Sequence, residues 1–384
     1  MARKMKDSGI EWIGEIPEGW EVAPVKRLCT MQAGKNLTSE QIAPEGIYPV
    51  YGGNGIRGFF SDYNCDGQFL TVGRQGALCG NVHKINGKVW ATEHAVITTP
   101  SSYTTLDFLY YLLIGMDLNQ YVSSTAAQPG LAVGTLLNLK TCYPCSTLEQ
   151  TQISNYLNAK CSEIDVMLTK TRASIEEYKN LKQTVITQAV TKGVRGEREM
   201  KDSGVEWIGE IPAAWDVAKA KYCVTITHGS DPKTEGSIPV YGSGAESFKT
   251  CGEYKEGPTV LIGRKGATLH IPHYIEGKYW NVDTAFDVKA KNNFSLPYYY
   301  YLATSFDYKF YIAQTTLPGM TQSNYYNMFL PFPTFPEQEE IVNYLDAKCA
   351  EIDKLIAKKE QLVKELESYK KSLIYEVVTG KREV

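Results

Sequence analysis

Met5-Lys6-Asp7-Ser8-Gly9-Ile10-Glu11-Trp12-Ile13-Gly14-Glu15-Ile16-Pro17 returns as Met200-Lys201-Asp202-Ser203-Gly204-Val205-Glu206-Trp207-Ile208-Gly209-Glu210-Ile211-Pro212. A near-identity of this length means duplication, and a repeat decides the architecture before any local reading does. The offset is 195 at Trp12/Trp207 and Trp20/Trp215. It falls to 190 at Tyr51/Tyr241, Gly73-Arg74/Gly263-Arg264 and Trp90/Trp280, and to 189 at Asn138/Asn327. From Glu149-Gln150/Glu337-Gln338 to Thr191/Thr379 it is a constant 188, and all 6 tryptophans fall into repeat pairs.

The ends of each copy agree, whereas residues 29–71 barely resemble 223–260 outside the Tyr-Gly step. Two shared frames therefore carry two unlike inserts, and if the inserts read something, they read different things. The C-terminal Val378-Thr379-Gly380-Lys381 followed by the N-terminal Arg3-Lys4-Met5 recreates the internal linker from Val190 to Met200. The two ends are then expected to lie together, in a ring with a pseudo-two-fold axis.

At 384 residues the chain suits two or more domains. No apolar run of about 18 residues predicts a membrane span, and the charged N-terminus has no signal-like core. The 9 cysteines show no framework spacing. Cys142-x-x-Cys145 lacks a partner pair for zinc, so a reduced cytoplasm is expected. A net charge of −3 argues mildly against a stand-alone DNA binder.

Two long helices are expected. The first carries Leu157, Cys161, Ile164, Leu168, Ile175 and Tyr178 at 4-3 spacing, with Thr171 at the polar seam position. The second carries Leu345, Cys349, Ile352, Ile356, Val363 and Leu366, with Lys359 in that place. This is a coiled-coil-like stripe. Pro336 suits a helix start, and Gly193 and Gly380 suit the ends. Each helix covers about 45 residues, roughly 65 Å. The simplest partner for each stripe is the other helix, running antiparallel; the alternative is that each packs on its own globular domain.

The rest reads as mixed α/β (α+β). Phe69-Leu70-Thr71-Val72, Thr259-Val260-Leu261-Ile262, Val96-Ile97-Thr98 and Ala285-Phe286-Asp287-Val288 read as strands. Shorter helices are expected near 105–121 and 296–312. The domain reading is 1–147, helix 148–194, 195–335 and helix 336–384.

Gly53-x-Gly55-x-x-Gly58 fits a dinucleotide fingerprint literally, but its mate lacks the third glycine and no long helix follows, so a tight turn is expected. No phosphate loop, methyltransferase motif or zinc-protease motif occurs. The 5 histidines are read as forming no set common to both halves. Gly73-Arg74-Gln75-Gly76 and Gly263-Arg264-Lys265-Gly266 are shared. Their arginines either meet phosphate or a base edge, or brace a hairpin. Nucleic-acid contacts are expected among Lys35, Asn54, Arg57, Arg74, Gln75 and Lys84 in the first half. In the second they are expected among Lys233, Lys249, Arg264, Lys265, His273, Thr321, Gln322 and Ser323, since direct readout needs such side chains on surface loops.

Across essentially its full length the chain resembles the specificity (S) subunits of Type I restriction–modification systems. The resemblance rests on Lys6-Asp7-Ser8-Gly9-x-x-Trp12-x-Gly14-x-x-Pro17-x-x-Trp20 and its copy, and on Gly73-Arg74-x-Gly76. It rests also on Pro336-x-Gln338-x-x-Ile341-x-x-Tyr344-Leu345, and on Val378-Thr379-Gly380-Lys381. The first-half version of the third motif, from Leu148, lacks the proline. The resemblance implies two target-recognition domains, each reading half of a split, asymmetric duplex DNA site. It implies an antiparallel helical spacer formed through Leu157, Ile164, Leu168, Ile175, Leu345, Ile352, Ile356 and Val363. The spacer would dock two methyltransferase (M) subunits carrying S-adenosylmethionine, joined by restriction (R) subunits using ATP and Mg. The chain itself would catalyse nothing and hold no cofactor or metal. The rival reading is a coiled-coil adaptor or decoy that binds M subunits without reading DNA.

Overall fold

The computed structural model describes residues 3–75, 79–122, 130–244, 246–308 and 319–384. Gly76, Pro129 and Pro318 of the repeated motifs lie outside them. The chain forms two compact units: Met1–Thr171 with Gln361–Val384, and Arg172–Glu360.

The first half runs β1 (Met5–Asp7), β2 (Glu15–Pro17), β3 (Trp20–Pro24), β4 (Cys29–Ala33), β5 (Tyr48–Gly52), β6 (Gly55–Phe60), β7 (Gln68–Gly73), β8 (Val82–Asn86), β9 (Trp90–Ala91) and β10 (Ala95–Pro100). Then come α1 (Leu106–Gly115), α2 (Val133–Asn138), β11 (Lys140–Pro144) and the 46-residue α3 (Thr147–Lys192). The second half repeats the scheme as β12 (Met200–Asp202), β13 (Glu210–Pro212), β14 (Asp216–Lys219), α4 (Ala220–Cys223), β15 (Val224–His228), β16 (Ile238–Tyr241), β17 (Ser247–Cys251) and β18 (Lys255–Glu256). It continues with β19 (Thr259–Gly263), β20 (His273–Ile275), β21 (Lys278–Asn281), β22 (Ala285–Ala290), α5 (Leu296–Ser305), α6 (Gln322–Asn327), β23 (Phe329–Phe332) and the 44-residue α7 (Phe335–Val378).

The two main sheets match strand for strand, β4-β10-β7-β8 and β15-β22-β19-β20, all antiparallel. Registers correspond too: Thr71 faces His83 as Leu261 faces His273. β7 and β19 lie inside their sheets and are buried along almost their whole length. That is why they read as continuous apolar runs instead of alternating ones. A second sheet holds the unlike insert, β6-β5-β9 in one unit and β17-β16-β21-β18 in the other.

Helix α1 starts where Thr105 accepts from the Phe108 amide, and α5 where Ser295 accepts from Tyr298. Both are shorter than expected. Asp117 turns left-handed (φ 48°) after α1, and Leu118–Tyr121 forms only a 3-10 turn. Phe306 is extended after α5, and residues 309–312 fall outside the described ones.

The long helices end at Gly193 (φ +74°) and Gly380 (φ +73°), the left-handed stop that glycine takes without a Cβ penalty. Within the first unit the head of α3 lies against the tail of α7. Trp20 bonds Glu149 and sits beside Gly380, and Asp165 pairs with Lys370 at 2.7 Å. Within the second unit the tail of α3 lies against the head of α7. Lys182 pairs with Asp353 at 2.6 Å, and Lys359 lies over the Tyr178 ring. Each pairing is antiparallel, and the two ion pairs are repeat mates.

The stripe does more than face the other helix. Leu157, Cys161, Ile164 and Leu168 share one core with Trp20, Phe108, Leu112, Leu373 and Val377. Ile341, Leu345 and Cys349 share another with Trp215, Tyr298, Ile186 and Val190. Both expected packings therefore hold at once in each unit, helix on helix and helix on domain. Ile175 and Ile352 are buried, while Ile356 and Val363 are half-buried.

Candidate nucleic-acid interface

What the duplication preserves turns out to be support. Glu149 at the head of α3 accepts from Trp20 Nε1 (3.0 Å) and pairs with Arg3, whose guanidinium lies over the same ring. Glu337, Trp215 and Arg198 repeat this, with Trp215 Nε1 at 2.8 Å. Arg3 and Gly380 thus both meet Trp20, so the two ends of the chain converge as the linker pattern predicts.

The adjacent glutamine is a clamp. Gln150 accepts from the Thr105 amide (2.8 Å) and donates to the Tyr103 and Pro144 carbonyls (2.9 and 3.0 Å). Gln338 does the same for Ser295, Asn293 and Pro333. Each buried amide ties a long helix to the short helix of its domain. Trp90 and Trp280 donate to the Lys35 and Ser230 carbonyls, again repeat mates. The neighbouring Gly34 and Gly229 must be glycine, because a Cβ at either would collide with backbone carbonyls at 91–92 and 281–282.

The shared Gly-Arg step is held by its main chain. The amide of Arg74 donates to the His94 carbonyl (2.9 Å), and its own carbonyl accepts from Leu131 (2.9 Å). Arg264 does likewise with Thr284 (2.8 Å) and Met320 (2.9 Å). The Arg264 guanidinium also donates to the Asp283 carbonyl (3.0 Å), which favours the bracing alternative for that side chain.

Other expected contact residues divide by what already holds them. Lys84 pairs with Asp107 at 2.6 Å and lies over the Tyr110 and Tyr111 rings, fastening β8 to α1. Thr321 caps α6, and Gln322 donates to the Ile226 carbonyl. Lys35, Asn54, Arg57, Lys233, Lys249, Lys265 and Ser323 are exposed. The Lys233 loop is pinned by Glu253, which accepts from the Thr234 hydroxyl and the amides of 233 and 234. Those bonds, the hydroxyl first, hold the Glu253 carboxyl at about 2. Among the expected spacer positions, Leu157, Ile164, Leu168, Ile175, Leu345 and Ile352 point inward, whereas Val166, Met167, Leu181 and Leu362 are among the exposed apolar residues of α3 and α7.

The histidine expectation is corrected. His83 on β8 and His273 on β20 are repeat mates in matching registers. In both, Nε2 is buried without a hydrogen-bond partner, and burial lowers the pKa. Two neutral imidazoles are thus built into equivalent places.

Two loops meet at one end of each unit: the turn after β5 with the loop after β7, and the turn after β16 with the loop after β19. Asn81 Nδ2 donates to Asn54 Oδ1 at 2.8 Å, and Gln75 packs its carbonyl beside Gly53. In the second unit Ser243 and Thr268 share a hydroxyl–hydroxyl bond of 3.3 Å, and Gly266 lies beside the Ser243 hydroxyl. Asn81 and Thr268 escape sequence reading because neither has an equivalent at its repeat offset. These tips carry unlike polar groups on like frames.

A family model described as the Type I restriction modification DNA specificity domain matches residues 17–177 and again 215–365. The Type I restriction enzyme EcoprrI specificity subunit of Escherichia coli is 46% identical over 121 residues, which is 30% of this chain and 30% of that protein. Among solved structures, a chain from "Structural basis underlying complex assembly and conformational transition of the type I R-M system" superposes with a TM-score of 0.72. It is 14% identical, with 96% of this chain and 99% of that one covered. The HsdS subunit from Thermoanaerobacter tengcongensis gives 0.51 at 14% identity, covering 98% and 100%. At these identities the likeness is one of fold.

Proposed function

Because the chain belongs to the Type I restriction modification DNA specificity family, we propose that it reads a bipartite, asymmetric duplex site and docks the M and R subunits of such a complex. In this reading residues 1–147 recognise one half-site and 195–335 the other, while 148–194 and 336–384 fix the gap and present the docking surface. The chain catalyses nothing: S-adenosylmethionine belongs to M, and ATP and Mg to R.

The observation that carries the reading is the contrast between frame and tip. The Trp-Glu-Arg and Gln supports are the same in both units, while Asn54–Asn81 faces one loop junction and Ser243–Thr268 the other. One frame with two tips suits a target with two unlike halves. A rigid strut sets half-site spacing geometrically, as dimer geometry does in other DNA readers. The net charge of −3 is tolerable if M subunits share the phosphate contacts and close around the duplex. The 9 unbridged cysteines support a reducing, cytoplasmic setting.

The test is methylome sequencing of a host expressing this chain with its cognate M subunit, against M alone. The expected result is a split, asymmetric motif with N6-methyladenine in each half, present only with this chain. An active, bound M subunit that yields no such motif would sink the reading.

A further inference from the structure

The inference rests on the reading of this chain as a DNA-specificity subunit and names what one tip selects. In each unit a side-chain bond between described residues joins the two loops, but its chemistry differs: amide to amide at Asn54–Asn81, hydroxyl to hydroxyl at Ser243–Thr268. The frame beneath is common, since Arg74 and Arg264 anchor both loops through equivalent main-chain bonds. Any difference in what the two units select must then come from the tips.

Asn54 is exposed and Asn81 half-exposed. Their mutual bond uses one carbonyl and one amine. It leaves an amine on Asn54 and a carbonyl on Asn81 for an outside partner, and turning both amides over leaves the same donor–acceptor set. The cross-loop bond also fixes the two groups against rotation, so they act as one preorganised edge. In the major groove adenine presents an acceptor (N7) beside a donor (N6), the complement of that edge. Guanine presents two acceptors, which would set its O6 against the carbonyl. The hydroxyls of Ser243 and Thr268 each donate or accept, so they tolerate either purine.

We propose that the Asn54–Asn81 pair selects adenine in one half-site, and that Ser243–Thr268, the cross-loop pair of the other unit, lacks that selectivity. The experiment uses the assembled complex in cells: the full chain with its M subunit, wild type against Asn54→Ser/Asn81→Thr, with motifs read from N6-methyladenine maps. The expected result is that one half-site loses its preference for adenine at one position by about tenfold or more, while the other half stays unchanged. A variant motif identical to wild type, or a change in both halves, overturns the proposal. A wild-type chain that gives no split motif removes the underlying reading as well, which distinguishes the two failures. If the double variant methylates nothing, the single Asn54→Ser at the exposed turn decides: a relaxed adenine position supports the pair, and an unchanged motif refutes it.

Discussion

Asp287→Ile should destabilise the second unit severely, and adding Lys255→Cys should partly rescue it. The Asp287 side chain is 4% exposed. Its Oδ1 accepts from Thr227 (2.7 Å) and Lys255 (3.0 Å), and its Oδ2 from the buried Tyr279 hydroxyl (3.2 Å). The Lys255 side chain is 24% exposed and also donates to Asn281 at 2.8 Å. Removing the carboxylate alone strands a largely buried ammonium, which costs about 3–5 kcal/mol. The first unit shows the alternative in the same place. Cys65 bridges Val89 as Lys255 bridges Tyr279, and Ile97 occupies the Asp287 register, in a small apolar cluster with Phe69 and Ile85. Replacing both charges removes the unpaired ion. What remains are the Tyr279 hydroxyl without its acceptor and the Asn281 oxygen without its donor, about 1–3 kcal/mol apiece. The coupling between the two substitutions is then about 2 kcal/mol or more. Hydrogen exchange resolved by peptide measures it, with β19 and β22 reporting and β7 and β10 as internal reference. A double variant no more stable than Asp287→Ile alone would refute the argument that the two residues form one unit.

Gln150→Leu and Gln338→Leu should each cost about 3 kcal/mol or more, because each strands one amide and two carbonyls in the interior; denaturant unfolding measures it, and a loss under about 1 kcal/mol would show that water replaces the clamp. His83 and His273 should make the protein acid-sensitive. Their folded pKa values lie below the unfolded one of about 6.5, so between the two the unfolded chain binds more protons, and stability falls as pH drops through that window. A His83→Gln/His273→Gln variant should lose less melting temperature between pH 7 and pH 5 than the parent, and an equal loss would exclude the pair as its source.

The repeat made the frame legible because residues held by nonlocal partners survive duplication as identities. Trp20, Glu149 and Gln150 are silent as local signals, yet their recurrence at fixed offset marks them, and the structure supplies the reason in the Trp–Glu bond and the amide clamp. Side-chain roles that depend on one partner far along the chain were not legible. Lys84 looks like a free surface lysine until Asp107 is seen beside it, and Gln322 looks like a loop residue until Ile226 is. The histidine pair was hidden for another reason: a search for shared motifs passes over His83 and His273, whose flanking residues differ, although the local offset of 190 links them.

The same logic bears on how such a chain can change what it reads. The preserved Trp–Glu and Gln contacts join the globular part to a helix head, and none of them involves the Asn54–Asn81 or Ser243–Thr268 side chains. Substitutions at those junctions leave the Glu149 and Glu337 anchors and both helix pairings intact, so in the proposed reading stability and the length of the strut are uncoupled from selectivity. Additivity follows for residues well separated and without shared partners. A change of target bases should therefore leave half-site spacing as it was, whereas lengthening a helix by one turn should alter spacing and leave the bases alone. In the proposed reading, domain and strut are thus separable variables in one chain, because the Trp–Glu and Gln contacts that bind them together lie at the helix ends and not at the loop tips.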